Sequence, residues 1–382
     1  MKNIRDYTLP ELEEELEKLG EKKYRAKQIY AWLFRGVDSF SEMTDISKDL
    51  IAKLEKEFYV KNLELRQFQQ SKDGTIKYLF GLNDGNAIES VMMKYKYGNS
   101  ACVSNQVGCK MGCNFCASAK IGFVRSLTPG EIVSQILEIE KHTGEKISNV
   151  VFMGIGEPLD NYDNVLKAIH LINDPKGLNI GARHISISTC GLVPKIIKLA
   201  DENELQCNLC ISLHSSKDDV RSSMMPINNT YSIKEVIDAC KYYIEKTNRR
   251  ITFEYALVDG VNDSLADADH LAKLLKGMLA HVNLIPINKI KDGIYEKSST
   301  EKILAFRDRL NERGIVATVR RELGSDISAA CGQLVRQTKS EWYKTIKRPQ
   351  KPEIKDFLDV YYIYKSKKDL YVYNWRKNTL NI

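Results

Sequence analysis

The chain has 382 residues, with 43% hydrophobic and 28% charged residues and a formal net charge of +7. This balance is typical of a folded globular protein and excludes a mostly disordered one. No run approaches the roughly 18 consecutive apolar residues of a membrane span, and Met1–Gly20 lacks the apolar core of a signal peptide. We therefore predict a cytoplasmic protein, without a membrane partner, that folds as two or three domains.

The first segment, residues 1–70, is predicted to form a small helical domain. Apolar residues at helical spacing indicate helices near Leu9–Leu19, Tyr24–Phe34 and Ile46–Phe58. The second helix carries lysines and arginines between aromatic residues, a pattern that could contact the phosphates and bases of RNA. A solvated helix face over a small core explains the same composition at least as well.

Residues 71–98 are predicted to form a linking strand pair, Ile76–Leu82 and Ala87–Tyr95, around an Asp-Gly turn. From residue 99 to residue 335, short β-rich segments alternate with helical ones. The predicted strands are, in order, Ala101–Gln106, Asn149–Met153, His184–Thr189, Asn208–Leu213, Arg250–Leu257, Val282–Pro286 and Val316–Val319. Repeated strand–helix units predict a parallel sheet, open or closed into a barrel, with ligands at the carboxyl ends of its strands.

The last segment, residues 336–382, differs in amino-acid composition from the rest of the chain. From Trp342 to Ile382 it contains ten Lys and Arg against four Asp and Glu, together with six Tyr and two Trp. Most of the net charge of +7 therefore lies in this tail, and elsewhere a polyanion must be met by local basic patches. We hypothesise that the tail adds nonspecific affinity for RNA.

The strongest chemical signal is a C-x3-C-x2-C run, Cys109, Cys113 and Cys116, just after the first strand of the repeating region. Three thiolates on one short loop can each bind one iron of a cubane cluster, which leaves the fourth iron open for another ligand. A structural zinc site would want four ligands, and no further Cys or His follows Cys116 closely. A zinc knuckle completed from elsewhere in the chain, or three unrelated thiols, remain the alternatives.

A second signal is Gly154-Ile-Gly-Glu-Pro158, which follows the next predicted strand. A glycine turn at the carboxyl end of a strand lets the backbone approach a ligand closely, although a tight turn explains the motif equally well. Three later strand ends also carry polar residues. They are Ser188-Thr189, Ser212-Leu213-His214 and Asn288. Each could be a helix cap, but four polar strand ends in succession predict the rim around one ligand.

Together these segments resemble the radical S-adenosylmethionine (SAM) superfamily, and within it the RlmN family, which methylates C2 of adenine in 23S rRNA and tRNA. The similarity covers Met1 to Leu334. Its motifs are Gly20–Gln28, Ser104–Cys109, Phe152–Leu159, Ser212–His214, Met225–Asn228, Asp259–Asp263, Asn283–Pro286 and Ala329–Leu334. The resemblance implies an α/β fold, namely a partial (β/α)6 radical SAM barrel over residues 99–335 with a small N-terminal helical domain.

The resemblance also implies two cofactors. Cys109, Cys113 and Cys116 would hold a [4Fe-4S] cluster, and SAM would bind to the open iron of that cluster. The residues that would line SAM are Gly156, Glu157, Ser188, Ser212, Leu213, His214 and Asn288. One SAM molecule would donate a methyl group, and a second would be cleaved to give the 5′-deoxyadenosyl radical.

Three further residues receive roles from the resemblance. Cys331 would be methylated first, and the radical would take a hydrogen atom from its S-methyl group so that the resulting methylene radical adds to C2. Glu89 would accept the C2 proton, and Cys102 would form a transient disulfide with Cys331 that releases the product. From the sequence alone, Cys331 could equally be a buried helix cysteine, Cys102 a core residue and Glu89 a solvent-facing strand residue.

The implied partners are 23S rRNA, at the peptidyl-transferase centre, tRNA, at the adenosine 3′ of the anticodon, and an external electron donor such as flavodoxin. We expect a monomer. The nearest alternative is the sister family Cfr, which methylates C8 and whose glutamate is followed by Ala where this chain has Pro158. An alternative of another class, a non-enzymatic iron–sulfur or zinc RNA-binding protein, predicts no cleavage of SAM and no need for Cys331. One departure from the family pattern is Gly324-Ser-Asp-Ile-Ser328, in which two family aspartates are replaced.

Overall fold

The computed structural model describes residues 1–334, except 121, 203, 205, 289, 291 and 292, and beyond them only the backbone of 361–365, 370–374 and 379–381. The chain divides into two compact units, Met1–Lys339 and Ser340–Ile382. All residues to which the sequence assigns a chemical role lie in the first unit.

Three helices open the first unit, as the apolar spacing predicts. They are α1 (Leu9–Lys18), α2 (Tyr24–Phe34) and α3 (Lys48–Glu57), and the flanking strands β1 (Lys2–Asn3) and β2 (Phe58–Tyr59) pair in parallel. The first helix begins after Thr8, whose amide donates to the Glu11 carboxylate at 2.7 Å. Buried leucines of all three helices belong to the same hydrophobic core as the strands that follow.

One mixed sheet of ten strands organises the rest of the first unit. Its first strands are β3 (Glu64–Gln70), β4 (Ile76–Gly81), β5 (Ala87–Tyr95) and β6 (Gly98–Cys102). A separate hairpin follows, formed by β7 (Gln106–Gly108) and β8 (Phe123–Ser126). The remaining strands of the main sheet are β9 (Ile147–Phe152), β10 (Ile185–Thr189), β11 (Asn208–Ser212), β12 (Ile251–Leu257), β13 (Ala280–Pro286) and β14 (Ala317–Val319).

The strand order in the sheet is β14-β13-β12-β11-β10-β9-β6-β5-β4-β3. Neighbours run parallel from β6 to β14 and antiparallel from β3 to β6. The predicted strands from Asn149 to Val319 are present with shifted ends, whereas the predicted strand Ala101–Gln106 is divided between the end of β6 and the start of β7. The predicted linking strand pair is present and adds antiparallel strands to the same sheet. The sequence does not predict β3, which falls inside the segment predicted to be helical, because its side chains are mostly exposed and show no apolar alternation.

The helices that accompany the sheet are α4 (Ala117–Lys120), α5 (Pro129–Thr143), α6 (Tyr162–Asn173), α7 (Val193–Glu202), α8 (Asp218–Met224), α9 (Ile233–Thr247), α10 (Leu265–Leu275) and α11 (Thr300–Glu312). Short 3-10 helices cover Ile4–Asp6, Phe40–Glu42, Ala182–His184, Pro226–Asn229 and Ser325–Ile327. Helix α5 begins with a capping box, in which Thr128 and Glu131 each accept the backbone amide of the other. Within the described ranges, no helix is long and apolar enough to cross a membrane.

The turn after β9 packs Gly154 against the backbone that follows β6. The Gly154 amide donates to the Val103 carbonyl at 3.2 Å, and a Cβ added to Gly154 would lie 2.6 Å from that oxygen. We expect Gly154→Ala to lower the free energy of unfolding by about 1–3 kcal/mol, because overpacking against backbone cannot relax by rotation of a side chain. Denaturant unfolding measures this, with Gly181→Ala as the control, whose added Cβ would lie 3.6 Å from its nearest atom. Equal stability of the two variants would contradict the expectation.

In the second unit the described backbone forms an antiparallel sheet of β15 (Tyr361–Lys365), β16 (Leu370–Asn374) and β17 (Thr379–Asn381). The side chains of residues 335–382 lie outside the described part of the structure. The hypothesis that this basic tail adds affinity for RNA concerns those side chains, so it stays a prediction.

Candidate active site

The three motif cysteines lie on the loop that joins β7 to α4. Cys109 directly follows β7, and Cys116 directly precedes α4. The Cys116 amide donates to the Cys113 carbonyl at 3.1 Å, which folds the loop back on itself. Gly112 has a φ of +73°, in the left-handed region that favours glycine, so the tight loop depends on this residue.

Two distant segments hold the cysteine loop in place. The Asn114 amide donates to the Met224 carbonyl at the end of α8, at 2.9 Å. The Ala117 amide donates to the Gly332 carbonyl at 2.7 Å. Because Gly332 is the neighbour of Cys331, the segment with the predicted carrier cysteine is bonded directly to the loop with the predicted cluster ligands.

Three thiols on one loop suit an iron–sulfur cluster, in which each thiolate binds one iron. Burial raises the pKa of Cys109 to about 12, and burial together with neighbouring thiols raises the pKa of Cys113 and Cys116. Such thiols become ligands when metal binding displaces their protons. Among the residues that the structure describes, no group of three or more His, Cys, Asp or Glu is placed to hold one metal ion. In a cubane cluster each cysteine binds a different iron, so the three sulfurs need not converge on one point.

Cys113→Ala is expected to abolish cluster binding, because the loop would keep only two of its three predicted iron ligands. Iron and acid-labile sulfide, measured after anaerobic reconstitution, should fall to background. Cys240→Ala is the matched control, since that cysteine is fully buried in the hydrophobic core on α9. An unchanged iron content in Cys113→Ala would contradict the assignment.

The turn after β9 is held by the side chain of Glu157. Both of its carboxylate oxygens accept backbone amides, one from Leu159 at 3.0 Å and the other from Cys190 at 2.8 Å. Burial raises the pKa of Glu157, and the amides that donate to it act in the opposite direction. The adjacent Gly156 has a φ of +106°, and a Cβ there would lie 2.6 Å from Gln106. The Glu157 carboxylate therefore fixes the shape of this turn.

The next two strands bring further predicted SAM-lining residues together. Ser188 and Ser212 lie near the carboxyl ends of β10 and β11, and their hydroxyl oxygens are 3.5 Å apart. Leu213 is fully buried in the core. His214 has a φ of +55°, and burial lowers its pKa to about 3, so its ring is neutral. That ring packs edge-on against Phe115 of the cysteine loop, with 4.8 Å between the ring centroids.

One cleft is lined by both cysteines that are predicted to react. Cys102 ends β6 and is buried, whereas Cys331 is half-buried in a turn that follows β14. Asn288 lines the same cleft, and its side-chain amide donates to the Cys331 carbonyl at 3.2 Å. The apolar part of the lining includes Val91, Met93, Met153, Ile285, Leu323 and Leu334. The fold therefore brings three predicted residues from distant parts of the chain into one cleft.

Arg320 also lines this cleft, although it is not among the residues predicted from the sequence. Its Nη1 lies 3.3 Å from the Met153 sulfur and 3.9 Å from the Glu254 carboxylate. Arg320 and Cys331 line the same cleft, so a positive charge borders the space that the predicted carrier thiol occupies. The available signal was the position of Arg320 directly after β14, at the carboxyl end of a strand.

Glu89 lies on β5, on the same face of the sheet as Cys102. Val91 pairs with Cys102 across β5 and β6, and side chains two residues apart on a strand share a face. Glu89 is 2% exposed, so it is not a solvent-facing strand residue. Its carboxylate lies 3.6 Å from the ammonium of Lys77 on β4.

The segment that departs from the family pattern is anchored by two carboxylates. Asp73, in the turn between β3 and β4, accepts the Gly324 amide at 2.8 Å. Asp326, the family aspartate that this chain keeps, accepts the Ser71 hydroxyl at 2.6 Å. The loop that leads to Cys331 is thereby fastened to the antiparallel edge of the sheet.

All nine cysteines carry free thiols in this structure. The disulfide between Cys102 and Cys331 that the resemblance implies is therefore not present in this structure. Cys331 lies in a turn and not in a helix, so it is not the buried helix cysteine that the sequence left open. Cys102 is buried, but it borders the cleft.

Two family descriptions match this chain. Residues 103–274 match the Radical SAM superfamily. Residues 2–60 match the ribosomal RNA large subunit methyltransferase N-terminal domain. The two matches fall on the parallel sheet with its cysteine loop and on the three opening helices.

Curated relatives and one solved structure are similar over most of the chain. A protein named probable dual-specificity RNA methyltransferase RlmN, from Clostridium perfringens (strain SM101 / Type A), is 58% identical over 88% of this chain and 97% of its own length. A protein of the same name from Thermoanaerobacter sp. (strain X514) is 55% identical over 88% of this chain and 98% of its own length. The crystal structure of a radical SAM methyltransferase from Sphaerobacter thermophilus has a TM-score of 0.84 and 45% identity, and it covers 87% of this chain and 99% of that one. The predicted α/β fold, a radical SAM barrel with an N-terminal domain, is thus confirmed.

Proposed function

The chain belongs to the RlmN family of radical SAM enzymes, and from this premise we propose that it methylates C2 of an adenosine in the peptidyl-transferase centre of 23S rRNA and of the adenosine 3′ of the anticodon in some tRNAs. As a member of the family it is a SAM-dependent RNA methyltransferase that uses a [4Fe-4S] cluster and SAM. The observation that carries the proposal is that Cys102 and Cys331, both outside the cluster motif, line one cleft.

The chemistry of adenine explains why a carrier cysteine is needed. C2 is electrophilic and its C–H is not acidic, so C2 cannot readily displace a methyl group from SAM directly. A thiolate performs that displacement well, which makes Cys331 the first methyl acceptor. One contact and one shared location support this role, since the Asn288 side chain donates to the Cys331 carbonyl and Arg320 lines the same cleft.

Cys109, Cys113 and Cys116 would hold the cluster, and the polar strand ends of β10, β11 and β13 would hold SAM. When bound, these cofactors supply the methyl group and the radical that activates the S-methyl group of Cys331. The contribution of the chain is to hold the reacting groups close to one another. The hydrogen bond between Ala117 and Gly332 keeps the cysteine loop next to Cys331.

Glu89 and Cys102 would complete the reaction on the methylated base. Glu89 would accept the proton from C2. The Cys102 sulfur would attack the Cys331 sulfur and form a disulfide, while the bond from the Cys331 sulfur to the methylene carbon on C2 breaks. That carbon keeps the electron pair of the broken bond and takes up the proton of the Cys102 thiol, which completes the methyl group. Two electrons from the external electron donor must then reduce the disulfide to two thiols. Because burial raises the pKa of Cys102 to about 12, Cys102 stays protonated and does not compete with Cys331 for the methyl group of SAM.

A partly exposed surface on and after α2 supports the binding of RNA, with Tyr24 and Arg35 exposed and Arg25 and Trp32 half-buried. The Arg25 guanidinium lies 4.9 Å from the ring centroid of Tyr24, and the Arg35 guanidinium lies 4.7 Å from that of Trp32. Such pairs offer both positive charge for phosphates and flat surfaces for unstacked bases. Tyr30 on the same helix is buried, so only part of its aromatic residues is available to RNA.

The test of the proposed function is nucleoside mass spectrometry with chromatographic standards. The samples are rRNA and tRNA treated anaerobically with the reconstituted protein, SAM and a reductant. We expect 2-methyladenosine in both RNAs. Formation of 8-methyladenosine would contradict the proposal and favour the C8 chemistry of the sister family. No methylated adenosine, with the cluster and SAM cleavage both demonstrated, would contradict the proposed substrate.

A further inference from the structure

Lys77, on β4, contacts both the proposed base and the loop of the proposed carrier cysteine. Its ammonium lies 3.6 Å from Oε1 of Glu89 and donates to the Ser328 carbonyl at 3.3 Å. The strand register explains this position. Lys77 pairs with Val91 and Leu79 pairs with Glu89, so Lys77 is the diagonal neighbour of Glu89 on one face of the sheet.

The ion pair is almost closed off from solvent. The exposed fraction of the side chain is 13% for Lys77 and 3% for Glu89. A carboxylate buried to this extent is costly to keep ionised unless a positive charge lies beside it. A general base must be unprotonated before it reacts, so Glu89 can act only where its negative charge is stabilised. The ammonium of Lys77 supplies that stabilisation.

The hydrogen bond from Lys77 to the Ser328 carbonyl fixes the ammonium relative to the loop that carries Cys331. Ser328 has a φ of +52° and lies in the same loop as Cys331, which begins at Gly324 with a φ of +65°. One ammonium therefore bridges the carboxylate of Glu89 and the backbone of the loop. The distance between the base and the carrier thiol depends on this bridge, and small changes in such distances alter reaction rates strongly.

We propose that Lys77 is a positioning residue of this reaction, which holds Glu89 as a carboxylate directed at the adenine that becomes bonded to Cys331. The inference rests on the proposed function, since it requires Glu89 to act as the base for C2. In the step that Lys77 promotes, the C2–H bond breaks, its electron pair stays in the adenine, and the proton forms an O–H bond on Glu89. Lys77 itself exchanges no proton and no electron.

The test compares Lys77→Met with the wild-type protein in single turnovers that start with Cys331 already methylated. We expect transfer to adenine to slow by about ten- to a hundredfold, because a poorly placed base loses most of its effect. The preceding methylation of Cys331 should proceed at the wild-type rate. RNA deuterated at C2 should react more slowly than ordinary RNA, and by a larger ratio in the variant than in the wild type, because loss of the C2 proton becomes rate-limiting.

Three further variants separate the charge of Lys77 from its role as a hydrogen-bond donor. Lys77→Arg keeps the charge and should recover most of the rate. Lys77→Gln keeps a donor for the Ser328 carbonyl without the charge, and it should behave like Lys77→Met. Asp73→Asn weakens the anchor of Gly324, a contact that does not involve Glu89. It should slow transfer without enlarging the isotope ratio at C2.

Two results would overturn the inference alone. The first is that both Lys77→Met and Lys77→Gln transfer the methyl group to adenine at the wild-type rate. The second is that a variant slows Cys331 methylation and transfer equally, with an unchanged isotope ratio, since Lys77 would then only stabilise the fold. If the wild-type protein forms no 2-methyladenosine at all, the proposed function is wrong and the inference is overturned with it.

Discussion

The Cys331→Ala protein is expected to form no detectable 2-methyladenosine while it binds as much iron as the wild type. Without the thiol the methyl group has no carrier, and C2 cannot take it from SAM directly. The cluster loop should be unaffected, because the contact that fastens it uses the backbone of Gly332 and not the side chain of Cys331. Nucleoside mass spectrometry and iron analysis on the same preparation measure both outcomes.

Cys207→Ala is the control for this loss of activity, since Cys207 is buried in the main hydrophobic core. That variant should methylate RNA at nearly the wild-type rate. Formation of 2-methyladenosine by Cys331→Ala at a comparable rate would show that another group carries the methyl, and it would remove the reason for placing the reaction in this cleft.

The second large effect is expected for Cys102→Ala, which should accumulate a covalent complex between protein and RNA. Among the described residues that line the cleft, the cysteines are Cys331 and Cys102. Without it, the bond between the Cys331 sulfur and the base cannot be broken by disulfide formation. After one turnover most of the protein should be crosslinked, and denaturing gel electrophoresis with intact-mass analysis will detect the complex.

The matched control for this crosslink is the protein with both Cys102→Ala and Cys331→Ala. It should form no complex, because the sulfur that carries the methyl group is then missing. A Cys102→Ala protein that turns over repeatedly and leaves no covalent complex would contradict the role of Cys102 in release.

Local patterns in the sequence predict the parallel sheet and the cluster loop well. Strands between Ile147 and Pro286 are short apolar runs bounded by turn residues, and each recurs near its predicted place. The three motif cysteines need only one loop to come together. Features of this kind are encoded within a few consecutive residues, so they can be found without knowledge of the tertiary structure.

The environment of Glu89 could not be predicted in the same way. Strand β5 is buried on both faces, because Ile88 and Met92 pack into the main core while Val91 and Met93 line the cleft. A strand buried on both sides shows no apolar alternation that would reveal which face holds the site. The sequence therefore does not reveal whether the Glu89 side chain faces solvent or the predicted site. The register of the sheet places it on the same face as Cys102.

The contacts of Lys77 and Asp73 also have no local signal in the sequence, and the position of Arg320 after a strand does not reveal which residues it contacts. Lys77 donates to Ser328, and Asp73 accepts from Gly324, although the two residues of each pair are separated by most of the sequence of the first unit. Arg320 acquires its surroundings only when β14 takes its place beside β13. Such pairs depend on how the strands and loops are arranged in the tertiary structure, and a single sequence does not contain that information in any short segment.

The most direct test of the central claim counts deuterium atoms in the product made with SAM that carries a CD3 group. The protein should begin with an unmethylated Cys331. If Cys331 carries the methyl group and one of its hydrogen atoms is removed before transfer to C2, the methyl group of 2-methyladenosine will contain two deuterium atoms. A product with three deuterium atoms would mean that the methyl group passed intact from SAM to adenine, and it would contradict a carrier that is activated on Cys331.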